Sequence, residues 1–216
     1  MVFGYGVGTG QLLEQQEPKT SSTDSLSAKD ISSFQIGEAN WSWEISPSGV
    51  SAFLQNFHWL EGAPQDLNPS INKSGDNNLL ELRGDSLSNF FVTHTNYQNV
   101  QVDYYLDWSG FKGEIELTNH VQDAQNYDFT ILSSDGSITQ GRVSDGEREL
   151  FAEEEYAESG MTFVRVVGNG THFRAYINKE MAVHGHGDAP EAGSIGIKLQ
   201  GSGTVLIDKI TLTKLN

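Results

Sequence analysis

The sequence consists mostly of short segments in which apolar and polar residues alternate, separated by turns rich in glycine, asparagine and serine. A period of two, with many β-branched and aromatic residues, is typical of β-strands that bury one side. The segments that we predict as strands are WSWEI (41–45), VSAFLQNF (50–57), NLLEL (78–82), NFFVTH (89–94), VQVDYYLDW (100–108), GEIELTN (113–119), YDFTILS (127–133), MTFVRVVG (161–168), HFRAYIN (172–178), SIGIKLQ (194–200) and TVLIDKITLTK (204–214).

The turns between these segments give local detail. Gly168-Asn169-Gly170 stands between two alternating runs and supplies residues that tolerate positive φ, which predicts a β-hairpin. The segment QGSGT (200–204) predicts a second hairpin, the last one of the chain. Residues 146–160 have a more helical composition and are predicted as one or two helical turns before a strand.

Many strands without a regular alternation of strand and helix predict an all-β fold made of two packed antiparallel sheets, a β-sandwich of the jelly-roll type. We assign residues 31–216 to this domain. Residues 14–30 are polar, and residues 2–10 alternate apolar residues with glycine; together residues 1–30 predict an extended N-terminal arm. Two interpretations of the arm stay open: a disordered tail, or a docking segment through which the protein self-associates.

Charge limits the possible partners. The formal net charge is −16, which opposes binding to nucleic acid and to anionic membranes. Neutral glycans, metal cations and other protein surfaces are compatible with it. There are no cysteines, no segment long enough to span a bilayer and no signal-peptide pattern at the N-terminus. We expect an extracellular, cell-surface or virion location. Two explanations of the missing signal peptide stay open: a mature chain that begins here with an added Met, or a protein such as a virion component that does not use the secretory route.

The C-terminal part, from FVRVVGNGTHFRAYINKEMAVHG (163–185) to EAGSIGIKLQGSGTVLIDKITLTKL (191–215), resembles the closing strands of concanavalin-A-like jelly rolls. That superfamily includes laminin-G-like modules, legume-type lectins, laminarinase-type glycoside hydrolases and carbohydrate-binding modules. The resemblance covers about residues 34–216. It implies the fold but not a single function, since the superfamily contains enzymes, lectins and structural modules.

Laminarinase-type enzymes carry their catalytic acids on one strand, in the pattern Glu-x-Asp-x-Glu, in which one further residue can precede the last Glu. The nearest match is GEIELTNH, in which Glu114 and Glu116 share a strand face and Thr118 follows where another acid would be needed. Two acids at alternate positions are about 6.5–7 Å apart, so spacing alone does not exclude a retaining pair. A non-catalytic module for glycan binding or structural assembly is therefore our main interpretation, with a laminarinase-like hydrolase using Glu114 and Glu116 as the alternative.

The phase of the strands indicates a candidate glycan-binding surface. Carboxylates and arginine can bind sugar hydroxyls, and tyrosine rings can stack on the C–H face of a pyranose. The ordinary solvated side of an antiparallel sheet is the alternative, since it is also polar. The residues predicted on the side away from the core are Asp103, Tyr105, Glu114, Glu116, Arg174 and Tyr176.

Asp208 interrupts the last apolar run. With strict alternation it points inward beside Ile210 and Leu212, unless a β-bulge near Ile207 changes its direction. An unpaired buried carboxylate is costly, so it needs a cation or a hydrogen-bond network. The resemblance implies a structural Ca²⁺ held by a last-strand aspartate and a first-strand group, which here are Asp208 and Glu38.

Three histidines suggest a second metal hypothesis. His184, His186 and Asp188 occupy alternate positions in a glycine-rich stretch, with His172 as a further ligand candidate. Three such groups could hold a transition metal. Because glycine-rich stretches are flexible, our main interpretation of this one is a solvent-exposed loop.

Overall fold

A computed structural model describes residues 34–157 and 160–216, together with Met1 and Gly4. The rest of the N-terminal arm lies outside the described residues, so its docking and self-association stay predictions. The elements are β1 Trp41–Glu44, α1 Gly49–Asn56, β2 Phe57–Glu61, a 3₁₀ turn Pro64–Leu67, β3 Ser70–Ser74, β4 Asn77–Thr93, β5 Val100–Asp107, β6 Phe111–Asp123, β7 Asn126–Ser133, β8 Ser137–Ser144, β9 Glu147–Glu155, β10 Thr162–Asn169, β11 His172–Ile177, β12 Glu180–His186 and β13 Ser194–Lys214.

The strands form one antiparallel, hydrogen-bonded sheet in the order β12-β11-β10-β5-β13-β6-β7-β8-β9, with β1 and β4 on β13, and β2 and β3 on β4. The sheet folds over a main core, and a smaller buried cluster lies apart from it. Leu117 of β6 and Leu199 of β13 pack in the same cluster as Val102 of β5, Val164 of β10 and Ala175 of β11. The first part of β13 with β6–β9 is called the β6 half, and the second part with β5 and β10–β12 the β5 half. The predicted all-β jelly-roll sandwich is confirmed.

β13 is a single strand of 21 residues that belongs to both halves. The predicted hairpin at QGSGT is therefore wrong. Gly201 and Gly203 have φ values of +151° and +117°. A Cβ atom on Gly201 would lie 2.1 Å from the carbonyl oxygen of Lys112. These glycines let two strands approach at a bend of the sheet, and they do not reverse the chain.

The predicted strand at 50–57 is also wrong, because these residues form α1. Its buried residues are Gly49, Ala52, Phe53 and Asn56, a spacing that gives one helical face. The strand begins only at Phe57. A short segment with apolar residues on both periods is ambiguous in the sequence, and packing of Phe53 against Phe91 favours the helix here.

The predicted helical turns at 146–160 are replaced by strand β9. The turn before it contains Asp145 and Gly146, both with positive φ (51° and 82°), which is the geometry of a tight β-hairpin. β9 pairs with β8 over Ser137–Ser144, a strand that the alternation had not indicated. Pairing to a neighbouring strand thus overrides the helical composition of the glutamate-rich segment.

Other boundaries differ in a simpler way. Residues 78–82 and 89–93 belong to one strand, β4, which ends before His94. The hairpin predicted around Gly170 is present, with β10 and β11 paired on either side of it. His184 and His186, expected in a solvent loop, lie instead in strand β12, which pairs with β11. Among the described residues, no helix is long and apolar enough to cross a membrane.

Candidate functional site

The side of the β5 half that faces away from the core carries four of the predicted site residues. We call this side the outer face. In β5, Val102 and Tyr104 point into the core, so Asp103 and Tyr105 lie on the outer face. By the same alternation, β11 places Arg174 and Tyr176 there, and all four residues are half-buried. The structure therefore brings Asp103, Tyr105, Arg174 and Tyr176 onto one surface.

Strand β10 fills the space between these two strands. Arg165 is opposite Asp103 on one side and opposite Tyr176 on the other. Its guanidinium donates two hydrogen bonds of 2.7 Å to the two carboxylate oxygens of Asp103. This pairing raises the pKa of Arg165 above its usual value. Phe163, opposite Tyr105, contacts its ring edge-on at a centroid distance of 5.2 Å.

A depression of about 300 Å³ lies on the outer face. Its rim combines apolar surface from Phe163 and Tyr176 with the guanidinium groups of Arg165 and Arg174 and the ammonium group of Lys179. The lining has no carboxylate, although the chain is strongly acidic. We call it the outer depression. The alternation in MTFVRVVG could have indicated Phe163 and Arg165, since they share the phase opposite to the buried Val164 and Val166.

Glu114 and Glu116 lie on β6, in the other half of the sandwich, and so do not join the outer face. Glu116 points away from the main core, as predicted, but it is fully buried. Arg148 of β9 donates a hydrogen bond to one carboxylate oxygen, and the Tyr127 hydroxyl donates one of 3.1 Å to the other. Burial, with the charge of Glu116 nearby, raises the pKa of Tyr127.

Aromatic and cationic side chains cover this surface of the β6 half. The Arg148 guanidinium lies 5.1 Å from the centre of the Phe129 ring. Lys198, the β13 neighbour of Glu116, forms a 3.2 Å ion pair with Glu61 and lies 5.5 Å from the Phe90 ring centre. The sequence did not indicate this layer, because strand alternation does not reveal what covers the second side of a sheet.

A further polar network joins side chains of β6, β7 and β8. His120, which has a φ of +53°, holds Asp128 through Nδ1 at 2.8 Å and the Gln98 carbonyl oxygen through Nε2 at 2.9 Å. Arg142 binds the same carboxylate, and the Asp128 side chain is only 2 % exposed. An open cleft of about 440 Å³ lies beside this network. The charged and polar groups of the network already bind one another, so we interpret the network as a support of the fold.

Asp208 lies at an irregularity of β13. The register with β5 shifts between Ile207 and Lys209. As a result both Ile207 and Ile210 reach the core, and Asp208 is half-exposed. The structure thus contains the β-bulge that was the alternative to an inward-pointing carboxylate.

The structure does not bring Glu38 to Asp208. The side chain of Asn40, close to Glu38, accepts a hydrogen bond from the Lys214 backbone, whereas Asp208 lies beyond the pair formed by Glu44 and Lys209. Asp208 and Lys214 are six residues apart on β13, which in an extended strand is roughly 20 Å. Glu38 and Asp208 therefore do not fit as ligands of one Ca²⁺.

Calcium bound by Asp208 with other oxygen donors stays a prediction. Asp76 and Asn78 line the same surface depression as Asp208. With the free Ca²⁺ concentration at about 100 times the Kd of this site, removal of calcium by EDTA should lower the Tm by about 5–10 °C. Asp208→Ala should abolish that difference. Identical melting curves of the native protein in Ca²⁺ and in EDTA would contradict the prediction.

No protein-family model matches the sequence, and no significant match was found among curated proteins. Solved structures do match. A protein of unknown function with a galectin-like fold from Bacillus subtilis is 11% identical, with a TM-score of 0.61 over 82% of this chain and 96% of that one. The carbohydrate-binding module CBM66 from Bacillus subtilis is 13% identical, with a TM-score of 0.55 over 71% and 94% of the two chains.

A β-glucanase from Bacillus licheniformis is 9% identical, with a TM-score of 0.57 over 82% of this chain and 99% of that one. Identities this low establish similarity of fold alone. The strand order, the main core between two halves and these matches agree with one another. The chain has the concanavalin-A-like jelly-roll fold.

Proposed function

We propose that the protein is a non-catalytic glycan-binding module whose ligand occupies the outer depression. One observation carries this proposal: the half-exposed rings of Phe163 and Tyr176 border the same depression as the guanidinium groups of Arg165 and Arg174. Sugar recognition needs these two components together, an apolar ring for the C–H face and directed polar groups for the hydroxyls.

The net charge of −16 opposes polyanions over the whole surface, but the local charge of the lining favours an acidic glycan at this depression. Arg165, Arg174 and Lys179 contribute three cations to the depression, and Asp103 neutralises only the first of them. Carboxylate or sulfate groups on a sugar would form charge-assisted hydrogen bonds with Arg174, and these are stronger than bonds to neutral hydroxyls. A uronic-acid or sulfated polysaccharide is thus the expected ligand class.

The comparisons support a glycan-related function in general terms, since the similar structures include a carbohydrate-binding module and a glucanase. An extracellular or cell-surface location agrees with such a ligand and stays a prediction. The hydrolase alternative is less favoured. A catalytic acid must reach the substrate, whereas Glu116 is buried with Arg148 and Tyr127 on its two oxygens. Structural assembly would depend on residues 1–30 and also stays a prediction.

Affinity gel electrophoresis tests the proposal. We expect pectate or alginate to retard the native protein, and the neutral mixed-linkage β-glucan to retard it less. Arg174→Ala should weaken binding by roughly tenfold or more, because a hydrogen bond to a charged group contributes about 1.5–3 kcal/mol. Tyr176→Ala should weaken it by roughly two- to tenfold, because stacking contributes about 0.5–1.5 kcal/mol.

Arg83→Ala is the matched control, because Arg83 is an exposed arginine on β4 that does not line the outer depression. It should leave the affinity unchanged. Failure of every polysaccharide to retard the native protein would overturn glycan binding. Retardation by neutral glucan alone would overturn the preference for an acidic ligand.

A further inference from the structure

Three imidazole side chains meet at the edge of the outer face. His172 begins β11, and His184 and His186 lie two residues apart on β12. The register pairs His172 with His186 and Arg174 with His184, so the three rings project from the same side of the two strands. Their ring centroids are 4.6 to 5.7 Å apart. We call these residues the histidine cluster.

The nitrogens of the histidine cluster are close enough to share an ion. One ring nitrogen from each side chain lies within 4.8 Å of the other two. Within the described part of the chain, no other group of three or more histidine, aspartate or glutamate side chains meets this criterion. The nearest contact joins His172 Nδ1 and His184 Nε2 at 3.5 Å. Nitrogens at 2.0–2.1 Å from a tetrahedral zinc ion are roughly 3.4 Å apart, so small side-chain rotations would complete the geometry.

The backbone beneath the cluster is firmly held, although the three rings are exposed. Gly185, between His184 and His186, points inward and packs against Phe151, where an added Cβ would lie 2.4 Å from the Phe151 Cβ. Phe151 in turn contacts the Phe173 ring, next to His172, at a centroid distance of 5.0 Å. These contacts fix the backbone positions from which the three imidazole side chains extend. Fixed backbone positions lower the entropy cost of bringing three ligands to one ion.

We propose that His172, His184 and His186 bind one divalent transition-metal ion of the zinc, copper or nickel class. Imidazole nitrogen is a preferred ligand of these ions and a poor one for calcium or magnesium. Three protein ligands leave a fourth position open to water or to a donor from another molecule. This site is separate from the proposed glycan function, since it needs no sugar and no residue of the aromatic rim.

Isothermal titration with Zn²⁺, after chelator treatment and removal of any affinity tag, is the first measurement. We expect one ion per chain for the native protein. Co²⁺ offers a second readout, because Co²⁺ in a four-coordinate site without a centre of symmetry absorbs visible light far more strongly than octahedral aqueous Co²⁺. His184→Ala and His186→Ala should each reduce the Zn²⁺ affinity by about 100-fold, since even indirect partners of a metal contribute 10–100-fold.

His94→Ala is the control, because His94 is an exposed histidine that stacks on His58 and lies outside the cluster. It should leave Zn²⁺ affinity and the cobalt spectrum unchanged. Absence of stoichiometric Zn²⁺ binding by the native protein would overturn the proposal. Equal affinity in the native protein and the His184→Ala, His186→Ala double variant would overturn it as well. Circular dichroism of each variant verifies that the fold is intact.

Discussion

Arg148→Ala is expected to lower the free energy of unfolding by about 3 kcal/mol, because it removes the cation bound to a buried carboxylate. Glu116 is fully buried, and the hydroxyl of Tyr127 alone does not neutralise its charge. The expected loss is at the lower end for a buried ion pair, since the Arg148 side chain is 39% exposed and water can partly replace it. Urea denaturation of the native protein and the variant measures the difference.

Two further variants separate the buried charge from lost packing. In Arg148→Met with Glu116→Gln, no charge remains to be buried, so most of the stability should return. Arg83→Ala removes an exposed arginine and should change stability by less than about 0.5 kcal/mol. If Arg148→Ala also stays within that limit, Glu116 is not held as described, and its availability for catalysis has to be reconsidered.

Gly201→Val is expected to cost more than about 4 kcal/mol and to prevent folding at moderate temperature. The valine Cβ would lie 2.1 Å from the carbonyl oxygen of Lys112 and 2.9 Å from the Cα atom of Gly113. Both are backbone atoms of β6, so no side-chain rotation relieves the contact. The positive φ of +151° adds backbone strain for a β-branched residue. Thermal melting and denaturant titration measure the loss.

Gly75→Val provides the matched control. Gly75 has a φ of +61°, but nothing lies within 4 Å of the position that its Cβ would take. In this variant only the left-handed backbone conformation should lower the free energy of unfolding, by roughly 1–2 kcal/mol. Equal destabilisation by the two variants would mean that the close approach of β13 and β6 does not limit the choice of residue at Gly201.

Alternation predicted the strands that have one side on the main core. Val102, Tyr104 and Leu106 of β5 follow a strict period of two because each touches the same core. The same rule failed at α1, where the apolar residues of 50–57 fit both a strand and a helix. It also failed at β9, where most side chains are exposed and pairing with β8 decides the structure.

The candidate site was predictable only in part. Phase alone gave the outward direction of Asp103, Tyr105, Arg174 and Tyr176, and neighbouring strands brought them together. Phase also turned Glu116 away from the core, but alternation cannot assign β6 to the opposite half of the sandwich. That assignment depends on pairing between residues far apart in the sequence, for which local patterns carry no information.

Local irregularities of the strands were the other reason why predictions from the sequence differed from the structure. The bulge beside Asp208 exchanges the directions of all residues that follow it, which a strict period of two cannot anticipate. The histidine cluster was recognisable as a set of residue types. The position of the cluster on a pair of strands was not recognisable, because the glycines of VHGHG suggested a loop. In the structure Gly185 is part of β12 and leaves room for the side chain of Phe151.

The position of β13 has a consequence for synthesis of the protein. This strand forms hydrogen-bonded ladders with β1, β4, β5 and β6, so it joins the beginning of the domain to its middle. A ribosome releases residues 194–214 only after strands β1–β12, and until then both halves of the sheet lack their shared strand. High contact order of this kind slows folding. The domain therefore completes its fold only after β13 has been synthesised, and the edges of β4, β5 and β6 are exposed to aggregation or to chaperones until then.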